Sequence, residues 1–285
     1  MESLKKKILI IDATSMSGHI ISDYLDSLCK FQIIKLICDI SLANNDNYID
    51  IFNKELLEET IQQQKPDIIV NCLRLLIEES ESNPDKAIYY NSFLPHFLAK
   101  IARQINAKVI QLSTDCVFSG KKGSYNEDDF KDGETFYART KALGELINDT
   151  DLTIRTSFIG PNINHKNEEL FHWFMSQKVN VSGYCNVYWT GVTTLELAKC
   201  IEKAILLDIK GIYHLVPKYK ISKYDLLNLI KKIWGKNIII NKQENLIIDK
   251  SLIDNRNLIK VQDYEKMFNE LFVWMNNNKL YCNYN

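Results

Sequence analysis

The sequence predicts an α/β protein, a doubly wound parallel sheet with a smaller C-terminal substrate-binding lobe. Three observations predict it. Continuous apolar runs alternate with segments of helical spacing through the first two-thirds of the chain. Such runs are apolar on both faces, so they need helices on both sides of the sheet. Two late stretches, 158–186 and 217–285, fall outside that alternation. Right-handed crossovers then place any ligand at the carboxyl ends of the strands.

Taken in order, residues 8–11 (Ile-Leu-Ile-Ile) read as the first strand. Residues 18–29 read as a helix, because Ile20, Ile21, Tyr24, Leu25 and Leu28 recur at helical spacing. A strand at 32–38 and a helix at 54–64 follow. Lys65-Pro-Asp67 breaks that helix ahead of a strand at 68–72. Residues 84–105 are helical, and Pro95 bends or interrupts them. A strand at 108–113, a long helix at 135–148 and a strand at 152–156 complete the alternation. Residues 193–206 read as a helix and 211–215 as a strand that rejoins the main sheet. The expected division is therefore 1–157 with 187–216 for the dinucleotide-binding part, and 158–186 with 217–285 for the lobe.

Bulk properties exclude several classes. The chain has 285 residues, with 35 basic and 36 acidic side chains and a net charge of −1. That balance creates no field suited to nucleic acid or an anionic membrane. No apolar run has the length of a signal-peptide core or a membrane span. The seven cysteines are odd in number and include no CxxC pair, and the five histidines lack metal-ligand spacing. These features predict a reduced, cytoplasmic protein without a metal site. A homodimer formed through helices flanking the sheet is one arrangement the pattern allows.

After the first strand comes Asp12-Ala-Thr-Ser-Met-Ser-Gly18. A dinucleotide site wants three glycines here, for the tight turn, for approach to the diphosphate and for helix packing. Only Gly18 is present; Asp12 and Ser15 stand at the other two positions. Ser15 is small, and its hydroxyl can meet a phosphate. Asp12 repels a diphosphate unless it points away or is neutralised. Asp39 ends the second strand, where a carboxylate accepts both ribose hydroxyls and repels a 2′-phosphate, which favours NAD(H) over NADP(H). Asn71-Cys-Leu73 ends another strand on the same side.

Val109-Ile-Gln-Leu-Ser-Thr-Asp-Cys-Val-Phe118 is a buried strand running into a hydroxyl-bearing turn. Tyr137 and Lys141 lie four apart, on one face of a helix. An ammonium beside a phenol favours the phenolate and makes Tyr137 a usable proton donor. Thr114 can hydrogen-bond a carbonyl oxygen as charge develops on it.

Ser113-Thr-Asp-Cys-Val-Phe-Ser-Gly120, Tyr125-x-Glu127, Tyr137-x-x-x-Lys141-x-x-Gly-Glu145 and Arg155-Thr156 resemble the extended short-chain dehydrogenase/reductases. Within them, the pattern is most similar to the dTDP-4-dehydrorhamnose reductase branch. Lys65-Pro-Asp-Ile-Ile-Val-Asn71, Asn91 and Gly211-Ile-Tyr-His214 fit it too. The resemblance implies a Rossmann domain, a sugar-nucleotide lobe and reduction of a 4-keto-6-deoxy nucleotide sugar by NAD(P)H, for surface glycan synthesis. It implies Tyr137 as general acid, Lys141 as its electrostatic partner and ribose ligand, and Thr114 as carbonyl orienter. It implies Asp50 and Ile51 near the adenine, beside the expected cofactor set of Ser15, Met16 and Gly18 at the turn, Asp39 at the ribose and Asn71, Cys72 and Leu73 along the cleft. Trp189-Thr-Gly-Val-Thr-Thr194 falls where the family approaches its substrate. Two alternatives stay open: a non-catalytic binding subunit with an altered glycine motif, and an epimerase with tightly held NAD.

Overall fold

The computed structural model describes residues 5–42, 47–163 and 169–284. The extreme N-terminal residues 1–4 and residues 164–168 of the expected lobe lie outside the described residues. In chain order the elements are β1 (Lys7–Ile11), α1 (Gly18–Ser27), β2 (Gln32–Leu36), α2 (Lys54–Gln64), β3 (Ile68–Asn71), α3 (Ile77–Ser82), α4 (Pro84–Ala87) and α5 (Leu94–Gln104). Next come β4 (Lys108–Ser113), α6 (Phe136–Leu143), β5 (Leu152–Arg155), β6 (Phe158–Ile159), α7 (Leu170–Ser176), β7 (Asn180–Tyr184), β8 (Val187–Trp189) and β9 (Val192–Thr193). The chain ends with α8 (Thr194–Leu206), β10 (Gly211–His214), β11 (Ile221–Ser222), α9 (Lys223–Ile233), β12 (Ile239–Gln243), β13 (Ile248–Asp249) and α10 (Tyr264–Asn276).

The main sheet has strand order β10-β5-β4-β3-β1-β2, and every pairing in it is parallel. This is the doubly wound arrangement the alternation predicts. Successive side chains of a strand point to opposite faces, and β1 divides accordingly. Ile8 and Ile10 enter a core shared with Ile20 and Leu25 of α1 and Ile201 of α8, while Leu9 and Ile11 enter one shared with Leu57 of α2 and Leu98 of α5. Both faces are dry, which explains why β1 has no polar alternation.

The late segments form smaller sheets. β7 pairs with β12, and β8 pairs with β11 and β13. Val187–Trp189 was expected in the dinucleotide-binding part but hydrogen-bonds to strands of the lobe instead. Conversely α10, from the 217–285 stretch, buries Met267, Phe268 and Leu271 in the same core as Leu197 and Ile201. Its apolar stripe needs cover, and α8 supplies it.

Other boundaries differ for identifiable reasons. β2 stops at Leu36, so Asp39 stands beyond the strand it was expected to close. The expected 84–105 helix runs through a π-helical turn at Ile88–Phe93, just ahead of Pro95. Such a turn absorbs the backbone misfit that proline imposes. The expected 135–148 helix ends at Leu143, with Gly144 as its C-cap.

Candidate functional site

Thr114, Tyr137 and Lys141 line one narrow cavity of about 50 Å³ at the carboxyl edge of the main sheet, together with Cys72, Leu73, Arg74 and Ser157. Thr114 follows β4 in extended conformation, and its hydroxyl caps the short 3-10 turn at Asp115–Val117 by accepting from the Cys116 amide at 3.1 Å. The same hydroxyl donates to Asp115 Oδ1 at 3.1 Å.

Tyr137 and Lys141 share one face of α6. Thr135 caps that helix by accepting from the Ala138 amide. Burial pushes the Tyr137 phenol up to about 12; Cys116 adds to this, while Arg74 and a hydrogen bond with Thr114 act the other way. Burial brings Lys141 down to about 8, Arg74 lowers it further and Glu145 opposes. The Lys141 ammonium donates to the Leu112 carbonyl at 2.7 Å. Burial therefore outweighs the lowering of the phenol that the four-residue spacing suggests.

A buried ion pair stands behind this wall. Glu145 takes Arg155 Nε at 2.7 Å, Arg155 Nη2 at 2.9 Å and Ser113 Oγ at 2.7 Å. Ser113 precedes Thr114, so the network pins the strand end that carries the hydroxyl.

The turn after β1 keeps the backbone path of a glycine motif. Asp12 adopts φ 60, the left-handed region that favours glycine. A Cβ on Gly18 would run into the Asp12 carbonyl oxygen, so only glycine allows that approach. Ser15 Oγ donates to the Asp12 carbonyl at 2.8 Å and accepts from the Gly18 amide at 3.1 Å. Thr14 Oγ1 donates to Asp12 Oδ1 at 3.3 Å. The Asp12 charge also raises the Cys38 and Cys72 thiols, after burial, so it lies near both, just beyond the ends of β2 and β3.

The remaining expected residues lie outside the Tyr137 cavity. Met16 lines a neighbouring cavity of about 270 Å³. Asp39 accepts from the Ser41 amide at 3.0 Å and its hydroxyl at 2.6 Å. Asp50 accepts from the Phe52 amide at 3.0 Å, and the Ile51 side chain is buried in the core. The Asn71 amide donates to Gln111 Oε1 at 2.8 Å inside the sheet. Arg74 was not anticipated, although a basic residue directly after Asn71-Cys-Leu73 was a usable signal. Lys223 and Glu169 were likewise missed; both line the larger cavity with Trp189.

A family model described as the RmlD substrate binding domain matches residues 38–244. The dTDP-4-dehydrorhamnose reductase of Streptomyces griseus is 33% identical over 126 residues, covering 40% of this chain and 41% of that protein. The enzyme of the same name from Escherichia coli (strain K12) is 28% identical over 192 residues, 64% of each chain. These alignments thus span less than two-thirds of both relatives. A crystal structure of dTDP-4-dehydrorhamnose reductase from Bacillus anthracis in complex with NADP superposes with a TM-score of 0.82 at 18% identity, covering 95% of this chain and all of that one. That likeness establishes the shared Rossmann-type fold. With the family match running across most of its length, the chain belongs to the RmlD substrate-binding domain family.

Proposed function

We propose that this protein reduces the C4 ketone of a nucleotide-linked 4-keto-6-deoxy sugar with a nicotinamide cofactor, in surface glycan synthesis. The observation that carries the reading is the convergence of Thr114, Tyr137 and Lys141 on one cavity at the carboxyl edge of a parallel sheet. Membership of the family and its reductase relatives supports the same reaction class.

The residues fit a dinucleotide, because the Asp12 turn keeps the glycine conformation and Gly18 the close approach. Ser15, Met16 and Gly18 would face its diphosphate, Asp39 its adenosine ribose, Asp50 its adenine, and Cys72 and Leu73 its nicotinamide end. The Asp39 carboxylate favours NAD(H) over NADP(H). When bound, the reduced nicotinamide supplies the hydrogen and electron pair that reach C4. The Tyr137 phenol gives its proton to the ketone oxygen, and burial keeps that proton in place up to about pH 12. The Thr114 hydroxyl turns from Asp115 to the same oxygen and stabilises its growing charge. Lys141, charged below about pH 8, stabilises the phenolate left on Tyr137 and reaches the cofactor ribose.

Purified protein with NADH or NADPH and such a nucleotide sugar should consume reduced cofactor. Tyr137→Phe should slow this roughly 10²–10⁴-fold while leaving the fold intact. No turnover with any common 4-keto-6-deoxy nucleotide sugar, from folded protein, sinks the proposal. One observation favours a second reading, a non-catalytic binding subunit: the Asp12 charge lies near Cys38 and Cys72, beside the carboxyl ends of β2 and β3. Calorimetry with NADH separates the two, since a regulatory subunit freed from cofactor use would give no heat.

A further inference from the structure

The larger cavity beside Tyr137 holds two cations brought from distant parts of the chain. Arg74 lies just past the carboxyl end of β3, and Lys223 is the first residue of α9. The Arg74 guanidinium lies 4.8 Å from the centroid of Phe158 and pairs with Glu169 at 2.5 Å. A guanidinium has five N–H donors in a planar fork, so one carboxylate contact leaves several for another oxyanion.

Lys223 sits 5.2 Å from the centroid of Trp189. Among the described residues, no carboxylate lies within 4.0 Å of its ammonium. Burial lowers its pKa, with Asp115 and then Cys116 acting in the opposite direction. The aromatic face offsets part of the desolvation, but an enclosed ammonium without a carboxylate against it is a costly arrangement that an anion would complete.

We infer that Arg74 and Lys223 together hold the diphosphate of a nucleotide-linked substrate, Arg74 exchanging its hold on Glu169 for phosphate oxygens. This inference rests on the sugar-nucleotide reading of the adjoining Tyr137 cavity, with which the larger cavity shares Arg74, Ser157 and Phe158. Two cations match the two negative charges that a diphosphate linkage carries. A guanidinium binds phosphate oxygens two at a time, which fixes direction as well as attraction. Glu169 is then a competitor: it neutralises Arg74 in the free protein and repels the incoming phosphate. The arrangement makes the two partners of one ion pair act on ligand affinity with opposite signs.

Titration calorimetry with thymidine diphosphate and with uridine diphosphate, on the full chain, tests this. Arg74→Gln and Lys223→Gln should each weaken binding about tenfold or more, as expected for loss of a charge-assisted contact. Glu169→Gln should tighten it several-fold. A merely structural Arg74–Glu169 pair would make Arg74→Gln and Glu169→Gln shift affinity in the same direction. That result, or unchanged affinity in both cation variants with unaltered circular dichroism, overturns the inference. Turnover of a keto sugar without any effect of Arg74→Gln and Lys223→Gln on diphosphate affinity removes this inference alone. Diphosphate binding that depends on both cations, without turnover, removes the reductase reading alone. A wild-type protein that binds neither nucleoside diphosphate removes both.

Discussion

Gly144 packs so closely on Asn91 that a Cβ at position 144 would overlap the Asn91 carbonyl oxygen. Pro95 has no N–H to offer the carbonyl four residues before it, which is that of Asn91. The contact docks the end of α6 onto the π-helical turn. Ser92 Oγ, donating to the Thr140 carbonyl at 2.8 Å, and Asn91 Nδ2, donating to Thr140 Oγ1 at 3.3 Å, reinforce it. Because α6 carries Tyr137 and Lys141, this seam sets how deep the phenol reaches. Gly144→Ala should cost about 1–3 kcal/mol through overpacking. Urea unfolding should show the midpoint fall, and kcat should fall with it. A wild-type midpoint in Gly144→Ala would contradict this account of the seam.

The pH profile should report Lys141 on its basic side. Tyr137 keeps its proton to about pH 12, whereas Lys141 loses its own near pH 8. In the proposed reaction the charged lysine is the working form, so kcat/KM should be full below about 8 and fall as pH rises through it. Stability moves the other way. The folded-state pKa of Lys141 is depressed from 10.5, so the unfolded chain binds more protons between about 8 and 10.5. Stability should therefore rise with pH across that window. Arg74 lowers Lys141, so Arg74→Gln should move the basic limb of kcat/KM upward. A limb that stays in place in that variant would remove Arg74 from the electrostatics of the site.

Glu145 and Arg155 form the buried pair behind Thr114, with side-chain exposures of 0% and 2%. Burial pushes the Glu145 carboxyl up, but Arg155, Lys131 and Ser113 outweigh it and hold it below the usual carboxylate range. Its contribution is present above the ordinary carboxylate pKa and is lost as pH falls through the depressed value. Glu145→Gln leaves the Arg155 charge buried without its partner and should cost about 3–5 kcal/mol. Thermal unfolding at neutral pH measures this. Near-wild-type stability would mean that the Glu127 carbonyl and His214, both already in contact with Arg155 Nη1, suffice for it.

The strands and most helices of the main sheet were legible because β1 and β3 are buried on both faces and therefore read as apolar runs, and β4 is apolar apart from Gln111 and its two ends. Thr114, Tyr137 and Lys141 were legible because local spacing alone puts them at a strand end and on one helix face. What escaped depends on contacts distant in sequence. Asn91 leaves no room for a Cβ at Gly144, the C-cap of α6, and no pattern near Gly144 records that neighbour. β8 seeks partners in β11 and β13, which short runs such as Val187–Trp189 cannot announce. Arg74 and Lys223 look like ordinary surface cations in a linear reading. Only the fold puts them in the lining of one cavity.

On the proposed reading, cofactor affinity turns on Asp12. It holds φ 60 without being glycine, a conformation that costs an L-residue roughly 1–2 kcal/mol. Its carboxylate charge lies near the Cys38 and Cys72 thiols, just beyond the ends of β2 and β3. Asp12→Gly relieves both the strain and the repulsion. The turn itself should survive, because Ser15 Oγ binds the backbone carbonyl at position 12 and not the side chain. The variant should therefore be at least as stable as wild type and bind NADH or NADPH about tenfold more tightly, the equivalent of about 1.4 kcal/mol. The gain should shrink as salt is added, since part of it is repulsion between charges. Fluorescence titration of reduced cofactor at two ionic strengths measures both effects. Unchanged affinity in Asp12→Gly would show that the carboxylate never meets the diphosphate, and would remove the one observation that favours a non-catalytic subunit.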